Sequence, residues 1–235
     1  QAYLDEYQKG QRIIKTIVGP SGELIDFVDL YTQPGLRKHK ITRDQIQFSP
    51  SSFPKDVERD SIPKQVDYRT NNMLFELTGD TCPVGAIPMR RLTMKTLTSF
   101  ETLEDFFHKS HGYINPPCGG DGGSAAGHEY AHAARSITNW GAESVLNLWD
   151  NYVEKSDEFS LSQMWVVRGS GADRETLEAG WQVYKDLYGD WRPHLFIYFT
   201  PDNYGDGGGY NLSTGDFVQV NNSVYIGGGF TNYSS

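Results

Sequence analysis

The stretch LEAGWQVYKDLYGD (residues 177–190) carries the pattern that decides the fold. Its first eight residues alternate, which predicts a β-strand, because successive side chains of a strand point to opposite faces of a sheet. The set that we expect to face the core is Leu177, Ala179, Trp181 and Val183. The set that we expect to face substrate is Glu178, Gly180, Gln182 and Tyr184. The pattern therefore predicts a carboxylate on a concave sheet with open space at the glycine, although an ordinary solvated strand face alternates in the same way.

Similar short runs fill the rest of the C-terminal half. Runs rich in aromatic and β-branched residues, separated by turn signals, occur at 127–137, 143–153, 161–169, 194–200, 216–221 and 223–229. Strands at this spacing, with no room for a long helix between them, favour antiparallel pairing over a parallel α/β sheet. We therefore predict an all-β fold: an antiparallel β-sandwich preceded by a mixed N-terminal region.

Composition divides the chain near residue 118. The whole net charge of −9 falls in residues 119–235, which also hold 18 of the 25 glycines. We therefore predict an N-terminal region over 1–118 and a sandwich domain over 119–235. Within the first region, the periodicity predicts elements in the following order: a helix over 1–17, a strand over 23–31, a polar covering segment over 33–66 and a helix over 96–109.

Charge and hydropathy exclude two classes of partner. An acidic chain with a pI near 5.1 is a poor match for nucleic acid, whose phosphates select basic surfaces. No apolar run reaches the roughly 18 residues that a membrane-spanning helix needs. We therefore expect neither nucleic acid nor a membrane as partner.

The cysteines and the N-x-[ST] motifs favour an extracellular protein. Three such motifs begin at Asn211, Asn221 and Asn232, and we expect these asparagines to carry glycans. In an oxidising compartment, Cys82 and Cys118 either form a disulfide or remain two free thiols, and we favour the disulfide.

The sequence HEYAH (residues 128–132) matches a zinc-binding motif, but only a helix makes it one. On a helix, His128 and His132 share a face and Glu129 serves as general base. On a strand, the two histidines lie about 13 Å apart, which no single metal ion spans. Because glycine-rich sequence precedes the motif and strand-like runs follow it, we predict a strand, with no metal and no cofactor.

Several motifs together resemble the neprosin family of secreted glutamic peptidases. The C-terminal half carries GHEYA (127–131), EFSLSQMWVV (158–167), LEAGWQVYKDLYGD (177–190), LFIYFTPDNY (195–204) and GYNL (209–212) in the order and at the spacing of that family. Upstream, GELIDFVDLYTQP (22–34) and CPVGAIPMRR (82–91) resemble the family's activation region. The resemblance covers most of the chain.

The resemblance implies a secreted, acid-active endopeptidase that acts on protein or peptide substrates, often beside proline, after its activation peptide is removed. It implies catalysis by two glutamates without a metal. Glu178 matches the first of them, and the residues expected to line the cleft are Gln163, Trp165, Gln182 and Tyr184. The glycine-rich segment 116–123 is either the cleavage site between the two regions or a plain linker.

The second family glutamate has no counterpart that we can identify after Glu178. We therefore expect that the sequence is part of a longer chain, that a second chain completes the sandwich, or that this is a natural short form. The alternative function is a non-catalytic β-sandwich module that binds carbohydrate or a cell-wall partner.

Overall fold

The computed structural model describes residues 1–49, 80–109, 129–139, 141–231 and 233. Its strands form two antiparallel sheets, one from each half of the chain. The first sheet has the order β1-β2-β3, with β1 at Ile13–Val18, β2 at Leu24–Asp29 and β3 at Ala86–Arg90. The second has the order β4-β5-β6-β7, with β4 at Ser160–Arg168, β5 at Glu175–Val183, β6 at His194–Thr200 and β7 at Gly209–Tyr210. The predicted all-β class with a mixed N-terminal region is confirmed.

The helices of the described residues are short. They are α1 (Ala2–Gln8), α2 (Pro34–Lys38), α3 (Met94–Leu97), α4 (Leu103–Phe107) and α5 (Lys185–Tyr188). Within the same described ranges, 3₁₀ turns lie at Leu30–Thr32, Arg43–Gln45 and Gly171–Asp173. No described helix is long and apolar enough to cross a bilayer.

Two predicted helices differ from those observed. The helix predicted over 1–17 ends at Gln8, because Gly10 adopts φ +72° and the β-branched run from Ile13 pairs with β2 instead. The helix predicted over 96–109 divides into α3 and α4. The second begins at a capping box formed by Thr102 and Asp105, whose side chains satisfy the free backbone N–H groups there.

The strand predictions hold for the central runs only. The predicted strands over 161–169, 177–184, 194–200 and 23–31 correspond to β4, β5, β6 and β2. The described residues of 129–137, 143–153, 216–221 and 223–229 form no named strand. In the run 216–221, the Gln33 side chain accepts from the backbone N–H of Gln219 at 2.8 Å and donates to the carbonyl of Gln219 at 2.8 Å. Side-chain bonds thus replace a β-ladder in that run.

The two sheets share one hydrophobic core. Val28 and Ile87 of the first sheet belong to the same buried cluster as Phe196, Tyr198 and Tyr210 of the second. Polar contacts also join the two halves: Arg90 Nη2 donates to the carbonyl of Tyr188 at 2.9 Å. The N-terminal half therefore covers one face of the second sheet.

Candidate active site

Glu178 lies in the middle of β5, between Trp165 on β4 and Tyr198 on β6. It is only 3% exposed, so its face of the sheet is the covered one. We predicted the opposite face as core, and that prediction is wrong for this part of the strand, since Leu177 is 53% exposed. The reason is tertiary: the first sheet packs on the face that carries Glu178, Phe196 and Tyr198.

A lysine of the N-terminal half pairs with this carboxylate. Lys109 follows α4, and its ammonium donates a hydrogen bond to Oε2 of Glu178 and another, of 3.0 Å, to Oε1 of Gln163. The side chains of Lys109 and Glu178 are 3% and 0% exposed. The ammonium also lies 5.1 Å from the ring centroids of Phe196 and Tyr198. The ion pair is therefore fully enclosed by protein.

Two hydroxyl groups bind the other oxygen of Glu178. Tyr204 donates to Oε1 at 2.6 Å, and Thr176 donates to the same atom at 2.9 Å. The indole N–H of Trp165 also contributes to lowering the pKa of Glu178, although its geometry falls short of a hydrogen bond. No second carboxyl group is among these described neighbours.

The local electrostatics favour the ionised carboxylate. Burial alone would raise the pKa of Glu178, but the charge of Lys109 and the hydrogen bonds from Lys109 and Tyr204 outweigh it and lower the pKa. Burial lowers the pKa of Lys109, and the charge of Glu178 offsets this only in part. Burial and the charge of Glu178 both raise the pKa of Tyr204, so its phenol keeps its proton.

The structure brings two of the four predicted cleft residues to Glu178. Gln163 shares the Lys109 ammonium with it, and Trp165 lies opposite it on β4. Gln182 instead contacts two tyrosine hydroxyls further along the sheet, 3.3 Å from Tyr210 and 3.5 Å from Tyr188. Tyr184 lies beyond the end of β5, and it packs on Phe100 and Phe159.

Gly180 does not open space above the sheet, contrary to the prediction. A Cβ atom at this position would lie 2.0 Å from the carbonyl oxygen of Ser162. The glycine is therefore required because β4 packs directly against it.

Sequence reasoning missed three residues that touch the Glu178 carboxylate: Lys109, Thr176 and Tyr204. The sequence pattern could have indicated Thr176, since residues two apart on a strand share a face. Tyr204 ends the quoted motif LFIYFTPDNY, but no periodicity connects it to Glu178. Lys109 is 69 residues away in the chain.

The HEYAH segment forms neither the predicted strand nor a zinc-binding helix where it is described. Residues 129–139 have no regular secondary structure, and His128 lies outside the described residues. The described chain contains no cluster of three or more potential metal ligands.

The predicted modification sites have different outcomes. A glycan on Asn211 does not fit this fold, because Asn211 is 8% exposed and its side-chain oxygen accepts from the backbone N–H of Ile197 at 3.1 Å. Asn221 is exposed, which leaves its prediction open, and Asn232 lies outside the described residues. Cys118 also lies outside the described residues, so the disulfide stays a prediction. As a thiol, Cys82 has its pKa raised to about 11 by burial.

Two family models match the chain in succession. The model described as Neprosin activation peptide matches residues 16–134, which include Lys109. The model described as Neprosin matches residues 156–235, which include Glu178. The buried ion pair therefore joins the two matched regions, and an activation peptide followed by a peptidase region is the arrangement of a zymogen. Since the activation-peptide match alone spans just over half of the 235 residues, the chain belongs to the neprosin family.

Proposed function

We propose that this protein is the latent form of a secreted, acid-active glutamic endopeptidase that cleaves beside proline, with Glu178 as a catalytic carboxylate. The observation that carries the proposal is the ion pair at Glu178. A carboxylate in the middle of the peptidase sheet is buried, ionised and covered by a lysine of the activation peptide. Buried carboxyl groups with a perturbed pKa cluster at functional sites.

In the proposed reaction Glu178 is the general base. Its carboxylate takes a proton from a water molecule, whose oxygen forms a bond to the scissile carbonyl carbon. The amide of Gln163, which shares the Lys109 ammonium with Glu178, carries N–H groups suited to donate to the oxyanion that develops. The second carboxyl group, which family resemblance supplies, gives its proton to the leaving nitrogen as the C–N bond breaks. Prolyl specificity and secretion rest on the resemblance alone.

The neutral hydrogen-bond donors around Glu178 suit catalysis in acid. A general base works only when it is ionised, and hydrogen bonds from neutral donors keep a carboxylate ionised at lower pH. Tyr204 and Thr176 are neutral donors within the peptidase region. They therefore preserve part of this effect after Lys109 has left.

Lys109 explains latency in this proposal. Its ammonium occupies Oε2 of Glu178 and binds Gln163, the two groups that the reaction needs. Water and substrate reach them only when Lys109 is withdrawn. We propose that cleavage between the regions 1–118 and 119–235 releases it, with the glycine-rich segment 116–123 as the site of the cut.

The test is peptide hydrolysis by the acid-treated protein across acidic to neutral pH, with a proline-containing fluorogenic substrate. We expect Glu178→Gln to abolish cleavage, since an amide cannot accept the proton of water. Glu175→Gln makes the same change on the same strand, where the side chain is 47% exposed, and should keep full activity.

Retained cleavage in Glu178→Gln would overturn the assignment. If chelators abolish cleavage, the metal-free mechanism is overturned. A protein that hydrolyses nothing at any pH, but is retained by carbohydrate, would instead support the binding module considered from the sequence.

A further inference from the structure

We propose that Tyr204 and Thr176 are positioning residues for Glu178: their hydroxyls hold Oε1 still and leave Oε2 as the oxygen that takes the proton of the attacking water. This inference rests on the proposed function. It assigns different tasks to the two oxygens of one carboxylate.

The contacts of the two oxygens differ in kind. Oε1 accepts from two hydroxyls, that of Thr176 on β5 itself and that of Tyr204 on the loop after β6. Both donors lie in the region that matches the peptidase model, so they remain after the activation peptide is removed. Oε2 is bound by Lys109, which lies in the activation-peptide match. Withdrawal of that region therefore frees Oε2 and leaves Oε1 occupied.

The loop that carries Tyr204 is held in an unusual conformation. Asn203 and Tyr204 have φ values of +57° and +63°, in the left-handed region that is unfavourable for a bulky side chain such as that of Tyr204. Such strained residues persist where the surrounding structure fixes them, and they cluster at active sites. With this conformation, the Tyr204 phenol lies 2.6 Å from Oε1 of Glu178.

The hydroxyl of Thr200, the last residue of β6, helps to fix this loop. It accepts from the backbone N–H of Tyr204 at 2.8 Å and donates to Oδ1 of Asp202 at 3.1 Å. The other carboxylate oxygen of Asp202 accepts from the N–H of Gly207 at 2.8 Å. Gly208 closes the loop, where a Cβ atom would lie 1.9 Å from the carbonyl oxygen of Phe199. The position of Tyr204 is thus determined by the loop.

The ring of Tyr204 has a second support. It stacks on Tyr198, with ring centroids 5.8 Å apart and an interplanar angle of 24°. Burial, and to a lesser extent the charge of Glu178, raises the pKa of both phenols, so they stay protonated. Among the described residues, titratable groups that interact with Glu178 include Lys109 after α4, Tyr130 on the irregular segment 129–139, Tyr198 on β6 and Tyr204. Of these, only Lys109 carries a charge in acid.

The test is the pH dependence of kcat and KM for the acid-activated enzyme and its variants. Tyr204→Phe and Thr176→Val each remove one hydroxyl that stabilises the ionised carboxylate. We expect kcat to fall about tenfold and KM to change little. The acidic limb of the profile should move up by about one pH unit, because loss of a donor raises the pKa of Glu178. Thr176→Ser keeps the hydroxyl and should keep the limb of the unaltered enzyme.

The control is Tyr152→Phe, which removes a phenol hydroxyl from a side chain that is 88% exposed. If Tyr204→Phe does not fold, the pair Thr176→Val and Thr176→Ser decides. An infrared titration of the Glu178 carboxyl, identified by difference from Glu178→Gln, gives the same shift without turnover.

The outcomes separate this inference from the proposed function. Suppose that neither the acidic limb nor the infrared titration moves in Tyr204→Phe and Thr176→Val, while Glu178→Gln is inactive. That result would overturn the positioning role alone. Full activity in Glu178→Gln would overturn both.

Discussion

At the scale of single residues, the balance between charge and burial decides what Glu178 can do. Buried alone, a carboxyl group would be neutral at moderate pH. With Lys109 against one oxygen and two hydroxyls against the other, it is ionised inside the protein. Such a pair costs desolvation, and its attraction repays that cost only while both partners are present.

Removal of one partner should therefore be more harmful than the contact alone suggests. We expect Lys109→Met to destabilise the zymogen by about 3–5 kcal/mol at neutral pH, because it leaves a buried carboxylate without a counter-charge. Without Lys109, burial raises the pKa of Glu178, so the loss should shrink as the pH falls and the group is protonated. Denaturant unfolding at several pH values measures this difference.

Lys9→Met is the matched control. Lys9 pairs with Glu6 on the surface, where the two side chains are 69% and 63% exposed. The Lys9→Met substitution should lower the free energy of unfolding by under about 1 kcal/mol at any pH. Equal losses in the two variants would contradict the role given to burial.

At the scale of elements, the β4–β5 pair holds the site, and Gly180 lets these strands meet. The register sets Trp165 opposite Glu178 and Gln163 opposite Gly180. A shift of one residue would turn Glu178 to the other face of the sheet. The glycine thus serves the geometry of the site through packing, not through space for substrate.

Gly180→Ala should disrupt this pairing. Its added Cβ meets the backbone oxygen of Ser162, which cannot rotate away. We expect a loss of about 1–3 kcal/mol in the free energy of unfolding, as for other overpacked sites, together with loss of peptidase activity. Leu177→Ala, at an exposed position of the same strand, should cost less and keep activity. A fully stable, active Gly180→Ala would show that the strands adjust.

At the scale of the whole molecule, the activation region is held by its contacts to the peptidase region. Besides the shared core, Lys38 Nζ lies 2.7 Å and His39 Nε2 3.1 Å from Oδ1 of Asp216, whose side chain is 7% exposed. Burial would raise the pKa of Asp216, but hydrogen bonds from Lys38 and other neighbours outweigh it and lower the pKa.

This contact should weaken in acid. Because the pKa of Asp216 is lower in the folded state, its contribution is complete above the unfolded pKa and is lost as the pH falls through the folded value. Asp216→Asn should therefore let the activation region open at higher pH, with a stability loss of about 1 kcal/mol, since Lys38 is half exposed. Hydrogen exchange of residues 30–40 against pH measures this opening.

Asp206→Asn, at an exposed position, is the control for that experiment and should open as the unaltered protein does. A variant at Asp216 that opens at the same pH as the unaltered protein would contradict the role of this contact. Below the folded pKa of Asp216, the variant and the unaltered protein should behave alike.

The sequence by itself determined the local features: the strand nature of the central runs, the all-β class, and Glu178 as a polar residue within a strand. These follow from alternation and β-propensity, which act between near neighbours. Its motifs also indicated the neprosin family, which the family models show.

Only the tertiary structure decided which face of β5 is covered and which groups meet at Glu178. An alternating strand has two faces, and the one that is buried depends on what packs against it. Here the first sheet, drawn from a distant part of the chain, covers the face that carries the carboxylate. Lys109 and Tyr204 reach Glu178 through the same long-range packing, which no local pattern encodes.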